Sequence, residues 1–336
     1  MTRNHWLAGA MTFLSLLGTS AATAEPLVVY SPQGDERAVW IAEHATAAGH
    51  DVTILTAGGG ELFDRILAER ANPQADVVLG LIDAAMATLK AEGLFQPYVP
   101  KWADGLPEVY RDDADRMVWK FWQTPVVIAY NSDMLAQEDA PASWLELVED
   151  RHAGKYVIGP ATWQTTKTYL IGMLLRFADD GGEISDDGWD FMQRLYDNAI
   201  VVDSADAKTA AFVNKEAVID LNWFGGVGRL ADDVGYNAVM VDTEGGTPFI
   251  AEGIAITKGT DQLDDAKAFV DWFGSAEFMA AYAARFGQVP VHPDAIAAAP
   301  DSVKRNATLL RPQPIDWDVV APRIDGWIQR IELDIK

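Results

Sequence analysis

The chain has 336 residues, 49% of them hydrophobic, with 26 basic against 50 acidic side chains and a formal net charge of −24. That apolar content excludes a disordered chain, and so negative a surface excludes nucleic acid and anionic lipid as partners. Cysteine is absent, which excludes a disulfide framework, thiolate chemistry and a lipid-attachment site.

The N-terminus carries Arg3, an apolar run from Leu7 to Leu17, and small residues ending in Ala22-Thr23-Ala24 before Glu25. This is the pattern of a secretory signal peptide over 1–24, cleaved after Ala24. The run is shorter than the roughly 20 residues that span a bilayer, so the processed chain is expected free in the periplasm. Its remaining length exceeds what one core usually supports, which predicts two domains.

Leu27-Val28-Val29-Tyr30 is a β-rich run ended by Ser31-Pro32-Gln33-Gly34, and 36–48 reads as an Ala-rich helix. Asp51–Leu55 is the next strand, followed by Gly58-Gly59-Gly60, an amphipathic helix from Leu62 to Arg70 and a strand over Asp76–Leu81. Strand, Gly-rich turn and helix alternate as in a parallel α/β sheet. Pro125 then opens a strand, Val126 to Tyr130, and a second apolar run, Phe249-Ile250 and Gly253 to Ile256, follows the break Glu244 to Pro248. Between them lies a complete α/β unit, with helices over 165–178, 186–197 and 206–214 and strands over 156–159, 200–202 and 217–221. The stretch 264–336 is mainly helical, broken by prolines 290, 293, 300, 312 and 314. Two apolar connections bracketing an inserted unit predict two lobes joined by crossing strands, with a cleft that closes on a ligand. The expected division gives 25–127 and 248–275 to lobe 1, and 128–247 and 276–336, with the C-terminal helices, to lobe 2.

The sequence resembles the type II periplasmic solute-binding proteins of ABC importers, in the branch of ferric-iron, thiamine and phosphonate binders. The resemblance rests on Leu27 to Ser31, Asn72 to Gly80, Ala129-Tyr130-Asn131, Glu252 to Ile256, Ala266 to Trp272 and Gly287 to Val291, in that order and spacing. It implies an α/β Venus-flytrap fold with two crossing hinge strands, a small-molecule ligand and an inner-membrane permease as partner. A monomer is expected.

Ligands on open α/β sheets bind at the loops after the strands. Ser31 follows the first strand and offers a hydroxyl donor and acceptor. Gly59 and Gly60 precede a helix whose N–H groups can approach an anion, with Glu61 in the first turn. Thr165 and Thr166 open a second-lobe helix, where they serve either as caps or as oxyanion contacts, and Trp163 beside them suits a stacking wall. Iron-binding relatives carry a tyrosine pair where this chain has Asn222-Trp223-Phe224, and neither ring supplies an oxygen ligand. Trp223 and Phe224 beside carboxylates suit an organic ligand with a cationic nitrogen; Asp83, Asp220 and Glu252 are the carboxylates expected to face the cleft.

Histidines stand at 5, 44, 50, 152 and 292, none in an H-E-x-x-H spacing, and no G-x-S-x-G elbow occurs. No catalytic residue, metal ligand or cofactor is assigned. The ligand expected is thiamine-like or aminophosphonate-like. The alternatives are a ferric-ion carrier with a non-tyrosine site and a secreted carboxylate-dependent hydrolase, which needs only two carboxylates about 5–10 Å apart.

Overall fold

The computed structural model describes residues 25–309 and 311–336, so the expected leader and its cleavage point lie outside the described residues. Strands β1 (Leu27–Ser31), β2 (Val52–Thr56) and β3 (Val77–Ile82) run parallel, with β1 central. β1 and β3 are continuous apolar runs because helices cover both faces. Val29, Val77 and Leu79 point to Ile41 of α1 (Asp35–Ala47), while Tyr30, Val78 and Leu81 point to Leu62 of α2 (Gly59–Ala68) and Met86 of α3 (Asp83–Ala91).

After the short β4 (Phe95–Gln96), the chain enters β5 (Trp119–Asn131), and the unit that follows carries β6 (Val157–Ile158), β7 (Ile200–Val201), β8 (Ile219–Trp223) and β9 (Ala238–Met240). Its helices are α4 (Gln164–Leu174), α5 (Asp186–Asp197), α6 (Ala205–Val213) and α7 (Phe224–Val234). β10 (Phe249–Thr257) leads back, followed by α8 (Leu263–Phe273), α9 (Ala276–Phe286), β11 (Val289–Pro290) and α10 (Pro293–Ala298).

β5 belongs to both lobes. Trp119 to Pro125 pairs antiparallel with β10, and Val126 to Tyr130 pairs with β8. The exchange occurs at Pro125, which has no N–H to donate, and Val126 N donates instead to Pro248 O at 2.8 Å on the second crossing segment. The sequence predicts only the second half of this strand. Its first half was hidden by Lys120 and Gln123, which interrupt the apolar run; Trp119, Phe121 and Trp122 are nonetheless buried in the first core.

Two large cores flank the crossing. The second gathers Val126, Ile128 and Tyr130 with Trp144, Leu170, Phe191 and Ile219, and also takes Val320, Trp327 and Ile331 from the C-terminus. The expected placement of all of 276–336 in lobe 2 is corrected by the packing of α9, β11 and α10. Phe278, Met279, Tyr282, Val291 and Ala295 share the first core with Leu27, Val77 and Phe269. The cause is β5 again: β11 pairs with Trp122 and Gln123, and the Tyr282 ring stacks on Trp122 at 4.4 Å.

Phe278 is 5% exposed, against the rings of Trp40, Trp272 and Phe273. Truncation of such a residue costs about 3–5 kcal/mol. Phe278→Ala is therefore expected to speed amide hydrogen exchange in β1, β3 and α8 while α5 keeps its protection. Loss of protection in α5 instead would place α9 with the second lobe.

Candidate functional site

A cavity of about 620 Å³ lies between the lobes, walled by the loop after β1, Gly59, Thr124, Glu252 and Gln288 on one side and by Gln164, Thr165 and Trp223 on the other. It meets a second cavity of about 410 Å³ sunk into the second lobe, with Gln164, Thr165 and Trp223 common to both. Four helices begin in these walls, α1 and α2 in the first lobe and α4 and α7 in the second. None has a side-chain cap, so their first-turn N–H groups are open to solvent or ligand.

The two sides differ in charge. The first turn of α1 carries Asp35 and Glu36 and that of α2 carries Glu61, whereas the first turns of α4 and α7 carry no acid. Helix starts hold a partial positive charge that an acid in the first turn offsets; in the second lobe no first-turn acid offsets it. Lys208, Arg229 and Asp233 line the same second-lobe cavity. Lys208 sits one turn into α6, where the dipole works against a cation, and Asp220 offsets this at 2.6 Å. Arg229 lies over the Trp223 ring at 5.1 Å. Gly226 lets this wall close up: a Cβ there would stand 2.5 Å from Asn222 Oδ1 and 2.7 Å from Trp223 Nε1.

In the first-lobe wall, Gln33 Nε2 donates to Glu252 Oε2 at 2.6 Å, and Gln33 Oε1 accepts from Arg37 Nη1 at 3.2 Å and Tyr282 Oη at 3.3 Å. The end of β3 makes room for this pair. Gly80 has φ +90°, which favours glycine, and a Cβ there would stand 3.0 Å from Gln33 Nε2. Burial pushes the Glu252 carboxyl up from 4.5 to about 7, against the opposing pull of the nearby Trp122 indole, the charge of Arg37 and the bond from Gln33.

Of the sequence-predicted residues, Gly59, Thr165, Trp223 and Glu252 line the main cavity, and Trp163, Thr165, Thr166 and Trp223 line the second-lobe cavity. The cap position of α4 is Trp163, not Thr165 or Thr166, which lie within its first turn. Gly60 and Glu61 are exposed on α2. Ser31 is fully buried, its Oγ accepting from Gln33 N at 3.3 Å, the turn role. Asp83 is ion-paired to Lys120, accepts from Ala251 N at 2.7 Å and lines a separate cavity of about 180 Å³. Asp220 is 1% exposed and engaged by Lys208 and Asn222. Phe224 packs against Val127, Val227 and Phe249 and, with Trp223, lines an adjoining cavity of about 190 Å³. Sequence reasoning missed Gln33, Arg37, Lys208 and Arg229; a lysine in the first turns of a helix was the one available signal.

Residues 40–311 match the family described as bacterial extracellular solute-binding protein. The chain belongs to that family. It is 59% identical over 315 residues, 94% of this chain and 88% of the relative, to a probable ABC transporter periplasmic-binding protein of Sinorhizobium fredii. It is thus the periplasmic binding component of an ABC transporter, not an enzyme. Among solved structures, the Trichodesmium IdiA (FutA) protein with iron and citrate matches with a TM-score of 0.77 and 17% identity, over 93% of this chain and 100% of that one. The AfuA protein of Actinobacillus pleuropneumoniae, with fructose-6-phosphate bound, matches with a TM-score of 0.66 and 22% identity, over 92% of this chain and 99% of that one. Those likenesses establish the two-lobed fold.

A carboxyl whose folded pKa is raised stabilises the fold below its unfolded value and loses that contribution as pH rises through the folded value. For Glu252 the window runs from 4.5 to about 7, with a ceiling of about 3 kcal/mol at roughly 1.4 kcal/mol per pKa unit. Glu252→Gln is expected to raise the melting temperature of the ligand-free protein at pH 8 relative to wild type by more than it does at pH 5. An equal difference at the two pH values would mean that Glu252 ionises as an ordinary surface carboxyl.

Proposed function

We propose that this periplasmic binding protein captures a small organic solute bearing a phosphoryl or phosphonyl group, of the thiamine-phosphate or aminophosphonate class, and delivers it to the membrane permease. The reading rests on the charge difference between the two walls. The oxyanion sits in the second-lobe cavity, where the acid-free starts of α4 and α7 present backbone N–H groups and Lys208 and Arg229 supply cations. Thr165 and Thr166 hydroxyls add donors in the first turn of α4. The organic portion stacks on Trp223 and offers a hydroxyl or amine to Glu252, Gln33 and the acids at the start of α1. Closure turns on β5 and β10, the two segments that cross between the lobes.

Ferric ion is disfavoured because Trp223 and Phe224 replace phenolates, while the expected cleft acids Asp83 and Asp220 are each held by a lysine. The fructose-6-phosphate held by AfuA and the citrate held with iron by the Trichodesmium protein both place an oxyanion on a polar carbon skeleton.

Calorimetric titration of the chain from residue 25 with thiamine monophosphate, 2-aminoethylphosphonate, fructose-6-phosphate and ferric citrate tests the reading. At least one phosphorus compound is expected to bind, and its dephosphorylated or non-phosphonate counterpart to bind at least tenfold more weakly. Binding of ferric ion alone would contradict it. With the phosphorus ligand, Arg229→Gln is expected to weaken binding about tenfold, or ~1.4 kcal/mol. Trp223→Ala should weaken it more than tenfold with little change in the melting point of the free protein; unchanged affinity with lost stability would make Trp223 a packing residue.

A further inference from the structure

Away from the cleft, the segment between β5 and β6 folds as two successive 3₁₀ turns, Trp144–Val148 and Asp150–His152. Glu146 lies in the first turn, His152 ends the second, and Glu149 is the extended residue that joins them. One potential ligand atom from each lies within 4.8 Å of the other two. Trp144 and Leu147, both fully buried, anchor the opposite side of the turns in the second core and hold this face in place.

His152 is the unusual member. It is fully buried, yet neither ring nitrogen has a hydrogen-bond partner among the described residues. Leaving a buried polar group unsatisfied is costly, and a ring nitrogen of this histidine lies within 4.8 Å of a carboxylate oxygen of each glutamate. Arg151 donates to Glu149 Oε2 at 2.7 Å and Glu146 Oε2 at 2.6 Å, and Ala142 N donates to the same Glu146 oxygen at 3.1 Å. Each carboxylate therefore keeps its Oε1. Two carboxylates against one guanidinium give this face a surplus of acid.

We propose that Glu146, Glu149 and His152 bind a divalent transition cation, best Zn²⁺, through one imidazole nitrogen and two carboxylate oxygens, with water completing the shell. The mixed nitrogen–oxygen donor set selects zinc and its neighbours over the all-oxygen preference of calcium and magnesium. The ion would tie the two turns together in the second lobe, independently of the solute in the cleft. The sequence assigns no metal ligand, since no histidine lies in a spacing such as H-E-x-x-H; the fold brings these three side chains together through two short turns joined at Glu149.

Titration of chelator-treated protein with Zn²⁺ alone tests the assignment, with Co²⁺ as a spectroscopic substitute. One equivalent is expected to bind and to raise the melting temperature, and Co²⁺ to give visible d–d bands. Glu149 is exposed, so Glu149→Gln should leave the metal-free melting temperature unchanged while weakening the metal at least tenfold. Asp180→Asn, which removes the same charge from an exposed turn elsewhere, should leave affinity unchanged. No binding at millimolar Zn²⁺, or the same affinity in Glu149→Gln as in wild type, would overturn the site and leave only diffuse attraction to an acidic surface.

Discussion

Strand β5 has only two edges, and at Pro125 the partners on those edges change. On one side of that residue the strand is bonded to β10 and β11; on the other it is bonded to β8 and β9. The proline cannot donate to either ladder, so the exchange leaves no stranded N–H at the crossing. Both large cores are built on this strand, Trp119, Phe121 and Trp122 feeding one and Val126, Ile128 and Tyr130 the other. The cleft opens where neither core reaches: Thr124 lines its main cavity, and Pro125 lines the adjoining space beside Trp223 and Phe224.

A chain with a net charge of −24 is an improbable home for an anion if charge is summed over the whole surface. The sum is the wrong quantity, because exposed charges are screened over about 8 Å at physiological ionic strength. A ligand inside the cleft is governed by the groups that touch it. There the second-lobe wall offers uncapped helix starts with no first-turn acid, and Lys208 and Arg229 beside Asp233, while the first-lobe helices carry acids in their first turns. Such a division would orient a ligand with unlike ends, and the surplus acid elsewhere serves solubility.

Local features were the legible ones. The apolar runs of β1 and β3 and the periodicity of α1 and α5 depend on neighbours a few residues away, and these elements fall within a residue or so of their expected limits. The lobe that takes α9 was not legible. An amphipathic helix shows that it has an apolar face, but nothing in its own residues says which core that face will meet; β11 pairing with Trp122 and Gln123 decides it. The same limit governed the carboxylates. Asp83 and Asp220 read as ligand groups because their lysine partners, Lys120 and Lys208, come from other elements. Glu252 and Trp223 were identified through position in a family pattern, and both line the cleft.

Ligand recognition depends on which wall holds the anion. Amide chemical shifts, followed in ¹H–¹⁵N spectra as a bound phosphorus ligand is added, report that directly, since N–H groups that donate to an oxyanion move downfield most. The largest such shifts are predicted at Gln164 to Thr166 and Phe224 to Gly226, the starts of α4 and α7. Largest shifts at Gly59 to Glu61, with the second-lobe amides unmoved, would contradict the arrangement and place the anion on the first lobe.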